Sequence, residues 1–132
     1  MEDSIFTKII KGEIPCHKVY EDNKTLAFLD INPVADGHTL VIPKAQVEFV
    51  WDLPDDDYTA LMASVKKVGN RLREVMGKEY VGVMVVGTDV PHAHVSVVAF
   101  NQPGEMKRAL DGLGDSADQE SLRVVAEKLR FS

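Results

Sequence analysis

The sequence predicts an α+β fold built on a mainly antiparallel sheet, and three observations carry that expectation. One long segment, Asp55–Met76, keeps its apolar residues on a single helical stripe, with Tyr58, Leu61, Met62, Val65, Val68, Leu72, Val75 and Met76 recurring at a 3.6-residue period. Five shorter segments are β-branched or alternating and are joined by turns rich in Asn, Asp, Gly and Pro, the pattern of hairpin strands. The 132 residues are 45% hydrophobic and 27% charged, the balance of one soluble globular domain. That balance excludes a disordered or collagen-like chain.

Each element has a local reason. Ser4 is a good helix N-cap, and Ile5, Phe6, Ile9 and Ile10 then share one face of a short helix that Gly12 stops. Pro15 opens an extended segment, and His17–Glu21 and Thr25–Asp30 form a hairpin around Asp22-Asn23-Lys24. Asn32-Pro33 and Asp36-Gly37 punctuate a tight loop before a buried strand, His38–Ile42, which Pro43 ends. Pro54 suits the first turn of the long helix, Asp55, Asp56 and Asp57 suit its positive end, and Gly77 closes it. Strands Tyr80–Val86 and His92–Phe100 follow, then a polar, Gly-rich stretch from Asn101 to Asp115. A C-terminal helix is expected to begin with a capping box at Ser116–Gln119. We expect a single domain over 1–132, with its core at about 4–100 and an extension with a helix over 101–132.

Charge and cysteine content narrow the function classes. Lys+Arg 15 against Asp+Glu 21 leaves a net charge of −6, which repels a nucleic-acid backbone and confines any phosphate chemistry to a local pocket. The single cysteine, Cys16, forbids an internal disulfide and a four-thiolate zinc site, and is read as packing. No apolar run is long enough to span a bilayer, and the acidic start lacks the basic region of a secretory signal, so a cytoplasmic setting is expected.

The four histidines are His17, His38, His92 and His94. In a strand, His92, His94, Ser96 and Val98 would share one face while Ala93, Val95, Val97 and Ala99 point into the core. Such a face suits the wet side of a sheet, a metal site completed by His38, or a nucleophilic imidazole. The last is largely unprotonated at pH 7 and can attack phosphorus to form a phosphohistidine. It needs one ring nitrogen held so that the other presents its lone pair, together with donors for the phosphate oxygens and a proton for the leaving group.

The segment His92-Ala-His-Val-Ser-Val-Val98 resembles the His-φ-His-φ-His-φ-φ motif of the histidine-triad (HIT) nucleotide hydrolases and transferases, where φ is apolar. Ser4–Cys16 is similar to that family's amino-terminal segment. Phe28-Leu-Asp-Ile-Asn-Pro33 with Gly37-His-Thr-Leu-Val-Ile-Pro-Lys44 is similar to its nucleotide-cradling hairpin. The likeness runs from about Ser4 to Phe100 and implies a HIT-like fold and a homodimer.

It implies His94 as the nucleophile toward an α-phosphorus, His92 as an organiser of the site's hydrogen bonds and His38 as a support for the nucleophile. Asp30 is implied as the acceptor of ribose hydroxyls. Phe6, Ile9, Phe28 and Ile31 would sandwich the base, with Gly87 and Asp89 on the phosphate side.

The chain departs from the family pattern in three places. Ser96 stands where the third histidine belongs, Gln46 stands where a further histidine is frequent, and the Val86–Asp89 loop is short and has no preceding asparagine. The implied activity is hydrolysis or transfer at the α-phosphate of a purine nucleotide through a nucleotidyl-histidine, on a phosphoramidate or dinucleoside polyphosphate. The alternative is a nucleotide-binding module with weak or no turnover because of Ser96. No cofactor is required by that chemistry, although a divalent metal would suit a polyphosphate substrate.

Overall fold

A computed structural model describes residues 2–131. Along the chain come α1 (Ile5–Ile10), β1 (Lys18–Glu21), β2 (Thr25–Leu29), β3 (Thr39–Pro43), a 3₁₀ turn at Val50–Asp52 and α2 (Asp55–Met76). They are followed by β4 (Tyr80–Met84), β5 (Val95–Phe100), α3 (Pro103–Leu110) and α4 (Gln119–Leu129). The strands form one antiparallel sheet in the order β1-β2-β3-β5-β4. The fold is therefore α+β, with an antiparallel sheet, one long helix and a short N-terminal helix.

The sheet is covered on both faces, which is why every residue of β2 and β3 is buried. Strand alternation sends Ala27, Leu29, Val41, Val95, Val97 and Ala99 to one side, against Leu61, Val65, Val68 and Leu72 of α2 and Leu122, Ala126 and Leu129 of α4. The opposite side carries Leu26, Phe28, Leu40 and Ile42, packed with Phe6, Ile9 and Ile10 of α1. Ser96 pairs with Leu40 on β3 and with Met84 on β4, and directly opposed residues share a face. This register puts Ser96 on the α1 side of the sheet. No helix among the described residues is long and apolar enough to cross a membrane.

Helix α2 spans the segment its periodicity predicts and ends at Gly77 in the left-handed conformation. Its stripe also fixes the loop before β3. Gly37 has φ +87, and a Cβ there would lie 2.9 Å from Leu72 Cδ2, so only glycine lets the chain turn against α2 and deliver His38 inward.

Three elements differ from the expectation. Strand β5 begins at Val95, so His92 and His94 lie before it rather than alternating along it. Pro91 offers no ladder donor, while His92 N–H bonds Val90 O at 2.8 Å and Ala93 N–H bonds Val47 O at 2.7 Å. Those bonds satisfy the backbone outside the sheet and rotate the His92 ring into the interior, where it is fully buried. The polar stretch after Phe100 contains α3, begun by Pro103 and a capping box between Gln102 and Glu105. Helix α4 is capped by Asp118, whose carboxylate accepts from Ser121 N–H at 2.8 Å, rather than by Ser116.

Candidate active site

A cavity of about 590 Å³ opens between α1, the β2–β3 loop, the ends of β4 and β5, and the segment after α3. Phe6, Ile9, Phe28, Asp30, Ile31, His38, Asp89, His94 and Ser96 all line it. His92 lies behind this wall, and Gly87 sits beside the Phe49 ring outside the lining.

His94 is half-buried, and its Nδ1 lies 2.7 Å from His92 O. A carbonyl only accepts, so a neutral ring must carry its proton on Nδ1, and the lone pair is then on Nε2. The backbone of the preceding turn thus selects the tautomer that a nucleophile requires. Phe6 packs edge-on to the His94 ring at 5.3 Å between centroids and to the Phe28 ring at 5.6 Å. The apolar wall and the candidate nucleophile are therefore in direct contact.

The His92 ring is hydrogen-bonded at both nitrogens, with Nε2 2.8 Å from Pro43 O and Nδ1 2.7 Å from Ser4 Oγ. Burial pushes its pKa below the ordinary histidine value, against the raising effect of the Pro43 carbonyl, so the ring is neutral at pH 7. It does not stand in the open groove with His94 and Ser96. The three-histidine metal site that the sequence also allowed is not assembled: among the described residues no cluster of His, Cys, Asp or Glu is placed to hold an ion.

His38 is buried and belongs to the Asp30 side of the cavity. Val34 N–H donates to its Nδ1 at 3.3 Å, which leaves the proton on Nε2. That Nε2 has no hydrogen-bond partner among the described residues, and Asp30 Oδ2 is 3.7 Å away. Burial lowers the His38 pKa and the Asp30 charge opposes it. Asp30 itself uses Oδ1 to accept from Asn32 N–H at 2.8 Å, an Asx turn that steadies the loop and leaves Oδ2 toward the cavity. The Asp30 carboxylate at the cavity wall is an acceptor that suits hydroxyl groups.

Sequence reasoning missed two parts of this site. Ala109–Gly112 and Gly114 line the cavity, although they lie in the extension. This strap is tied to the β2–β3 loop by Asp115 N–H to Pro33 O at 3.3 Å and by Ala117 N–H to Ile31 O at 3.1 Å. A Cβ on Gly114 would come within 1.8 Å of Asn32 O, so glycine there is what allows the close approach. Gly114→Ala should cost about 1–3 kcal/mol in urea unfolding, the worth of two backbone hydrogen bonds. The second part is the polar contact around Ser4, which sequence showed only as a helix cap. Cys16 is half-buried among the apolar residues of the α1 side and also lines the cavity, with burial raising its thiol pKa.

A small α+β protein with an imidazole lone pair set against an aromatic-walled cavity fits the histidine-triad class that the motif suggested. The comparisons with known proteins agree. The HIT domain family matches residues 11–102, and the chain belongs to that family. An uncharacterized HIT-like protein of Borreliella burgdorferi is 41% identical over 105 residues, covering 74% of this chain and 76% of that protein. An adenosine 5′-monophosphoramidase of Candida albicans is 36% identical over 135 residues, covering 96% of this chain and 88% of that enzyme. Among solved structures, a Hit-like protein from Bartonella henselae involved in cell-cycle regulation superposes with a TM-score of 0.84 at 28% identity, covering 97% of this chain and 95% of that one.

Proposed function

We propose that this protein catalyses hydrolysis or nucleotidyl transfer at the α-phosphate of a purine nucleotide conjugate through a nucleotidyl-His94 intermediate, with a phosphoramidate as the preferred substrate type. The observation that carries this is the His94 ring, held by His92 O with its Nε2 lone pair free to attack, in a cavity walled by Phe6, Ile9, Phe28 and Ile31. The phosphoramidase name of the Candida albicans relative supports the same chemistry.

In the proposed reaction Nε2 bonds to the α-phosphorus as the bond from phosphorus to the leaving nitrogen breaks, and that nitrogen takes a proton from solvent water. Water then bonds to phosphorus and releases a proton to solvent, the bond from Nε2 to phosphorus breaks, and AMP is released. Thr88 and Ser96 also line the cavity, and their hydroxyls would serve the phosphate oxygens. Two observations favour an amine leaving group over a polyphosphate. The cavity is lined by three carboxylates, Asp30, Asp89 and Asp111, and no Lys or Arg is among its lining residues. A polyphosphate tail would meet unbalanced negative charge there, whereas an amine, neutral or protonated, would not. The reaction runs on imidazole, and a divalent metal enters only as the companion of a polyphosphate.

A homodimer fits the free edge of β4, where Tyr80 and Val83 are each about half exposed next to an unpaired strand. We place the protein in the cytoplasm, acting on small nucleotides rather than on nucleic acids or membranes.

Ribose recognition tests the nucleotide assignment. AMP should bind more than tenfold tighter than 2′,3′-dideoxy-AMP in calorimetry, because hydrogen bonds to a charged acceptor are worth about 1.5–3 kcal/mol each. Asp30→Ala should erase most of that gap. Equal affinities of the two ligands for the parent protein would remove Asp30 from the ribose site.

A further inference from the structure

We propose that Ser4 is a positioning residue for the His92–His94 pair, holding the ring of His92 through its hydroxyl and thereby fixing the carbonyl that orients the nucleophile. The proposal deepens the nucleotidyl-His94 mechanism and rests on it for its catalytic consequence, though not for the hydrogen bond itself.

The proton count around His92 has one consistent solution. Pro43 O can only accept, so His92 Nε2 carries the ring proton and Nδ1 presents a lone pair. The Ser4 hydroxyl, 2.7 Å from that lone pair, must therefore donate to it. Its other neighbour in reach, Thr7 Oγ1, is farther at 3.3 Å. Thr7 spends its own single hydroxyl proton on Gln46 Oε1 at 2.5 Å, not on His92 Nδ1 at 3.3 Å. Gln46 Oε1 also accepts from Ser4 N–H at 2.8 Å, and Gln46 Nε2 donates to Glu2 O at 2.8 Å. Ser4 Oγ in turn accepts from Thr7 N–H at 3.0 Å, the capping bond of α1. Donors and acceptors match along the whole chain from Glu2 to Pro43.

The bond spans 88 positions of sequence and joins two functional parts. On one side is α1, which brings Phe6 and Ile9 to the cavity wall. On the other is His92, whose carbonyl holds His94 Nδ1–H. Both Ser4 and His92 are buried, so no solvent replaces the hydroxyl if it is removed. Without it the His92 lone pair has only Thr7 Oγ1 nearby, at 3.3 Å and with its proton given to Gln46, so the turn relaxes and Nε2 of His94 loses its aim. Gln46 occupies the position where a histidine is frequent in the family, and its amide here fastens both Ser4 and Thr7.

The capping role of Ser4 must be separated from its hold on His92. Glycine caps helices nearly as well as serine but has no hydroxyl, and threonine keeps both functions. Two readouts on the full chain serve. Nitrogen-15 NMR of the imidazoles should show a hydrogen-bonded lone pair at His92 Nδ1 and a slowly exchanging Nδ1–H at His94 in the parent and in Ser4→Thr. In Ser4→Gly the His92 Nδ1 resonance should shift toward that of a free lone pair, and the His94 proton should exchange faster. With an AMP phosphoramidate as substrate, Ser4→Gly should lower kcat by about 10- to 100-fold with KM changed far less, as expected for misplacement of a reacting group. Ser4→Thr should restore it.

Unchanged His92 and His94 resonances in Ser4→Gly would overturn the proposal, as would an unchanged kcat. A folded parent that shows the bonded resonances but no turnover would refute the phosphoramidate function and leave the Ser4–His92 hold standing. The two failures are thus distinct.

Discussion

His94→Ala should take up no label from a radiolabelled AMP donor, and its turnover of an AMP phosphoramidate should fall on the order of 10⁴-fold or more. The expectation follows from where the ring's two nitrogens are directed. Nδ1 is engaged with His92 O, Nε2 faces the cavity, and the other cavity-lining imidazole, His38, holds its proton toward Asp30. Nothing else in the lining offers a neutral nitrogen lone pair. The substitution should leave the fold intact, because His94 is half-buried and its polar tie to the protein is one bond to a carbonyl. Circular dichroism should therefore match the parent. His94→Asn should bind AMP with little change and still fail to turn substrate over. A labelled His94→Ala protein would place the attacking group elsewhere.

The second large effect concerns Ser96, which lines the cavity and pairs in register with Leu40 and Met84. A serine hydroxyl is a poor acid at neutral pH, whereas a protonated imidazole is a good one. General acid catalysis contributes about 10²- to 10⁴-fold, so Ser96→His should accelerate departure of a basic amine by at least the lower part of that range. Departure of p-nitrophenolate, already stable as an anion, should change far less. The cavity has room for the larger ring, and β5 keeps this face toward it, so the structural cost should be small. Single-turnover rates for the two substrate types, measured with parent and variant, decide the matter. A uniform effect on both, or none on either, would take Ser96 off the leaving-group side. Failure of the parent to turn over either substrate while binding AMP would favour the nucleotide-binding module over the enzyme.

The corrections have a common physical origin. The sequence shows whatever depends on neighbours within a turn or two. The 3.6-residue stripe of Asp55–Met76 gave α2 its ends, and the Ser4 cap with Ile5–Ile10 gave α1. Turn residues such as Asp22 and Gly37 bounded the hairpin strands. The signal for α3 is also local: Gln102 and Glu105 form a capping box, with Pro103 in the first turn. It sits in polar, Gly-rich surroundings that carry the pattern of a loop.

Residue type and motif order by themselves determined the antiparallel α+β fold, the acidic charge and the membership of the HIT family. Tertiary structure decided how they are used. A strand pattern would send His92 toward the groove with His94. Instead Val47, remote in sequence, takes the backbone bond of Ala93, and β5 starts only at Val95. His92 then turns inward to Ser4 and Pro43. The same holds for the strap, because the need for glycine at position 114 exists only where Asn32 O approaches it. Hydrogen bonds of buried groups must close with whatever partner the packed chain brings near, and that partner's place in the sequence carries no local mark.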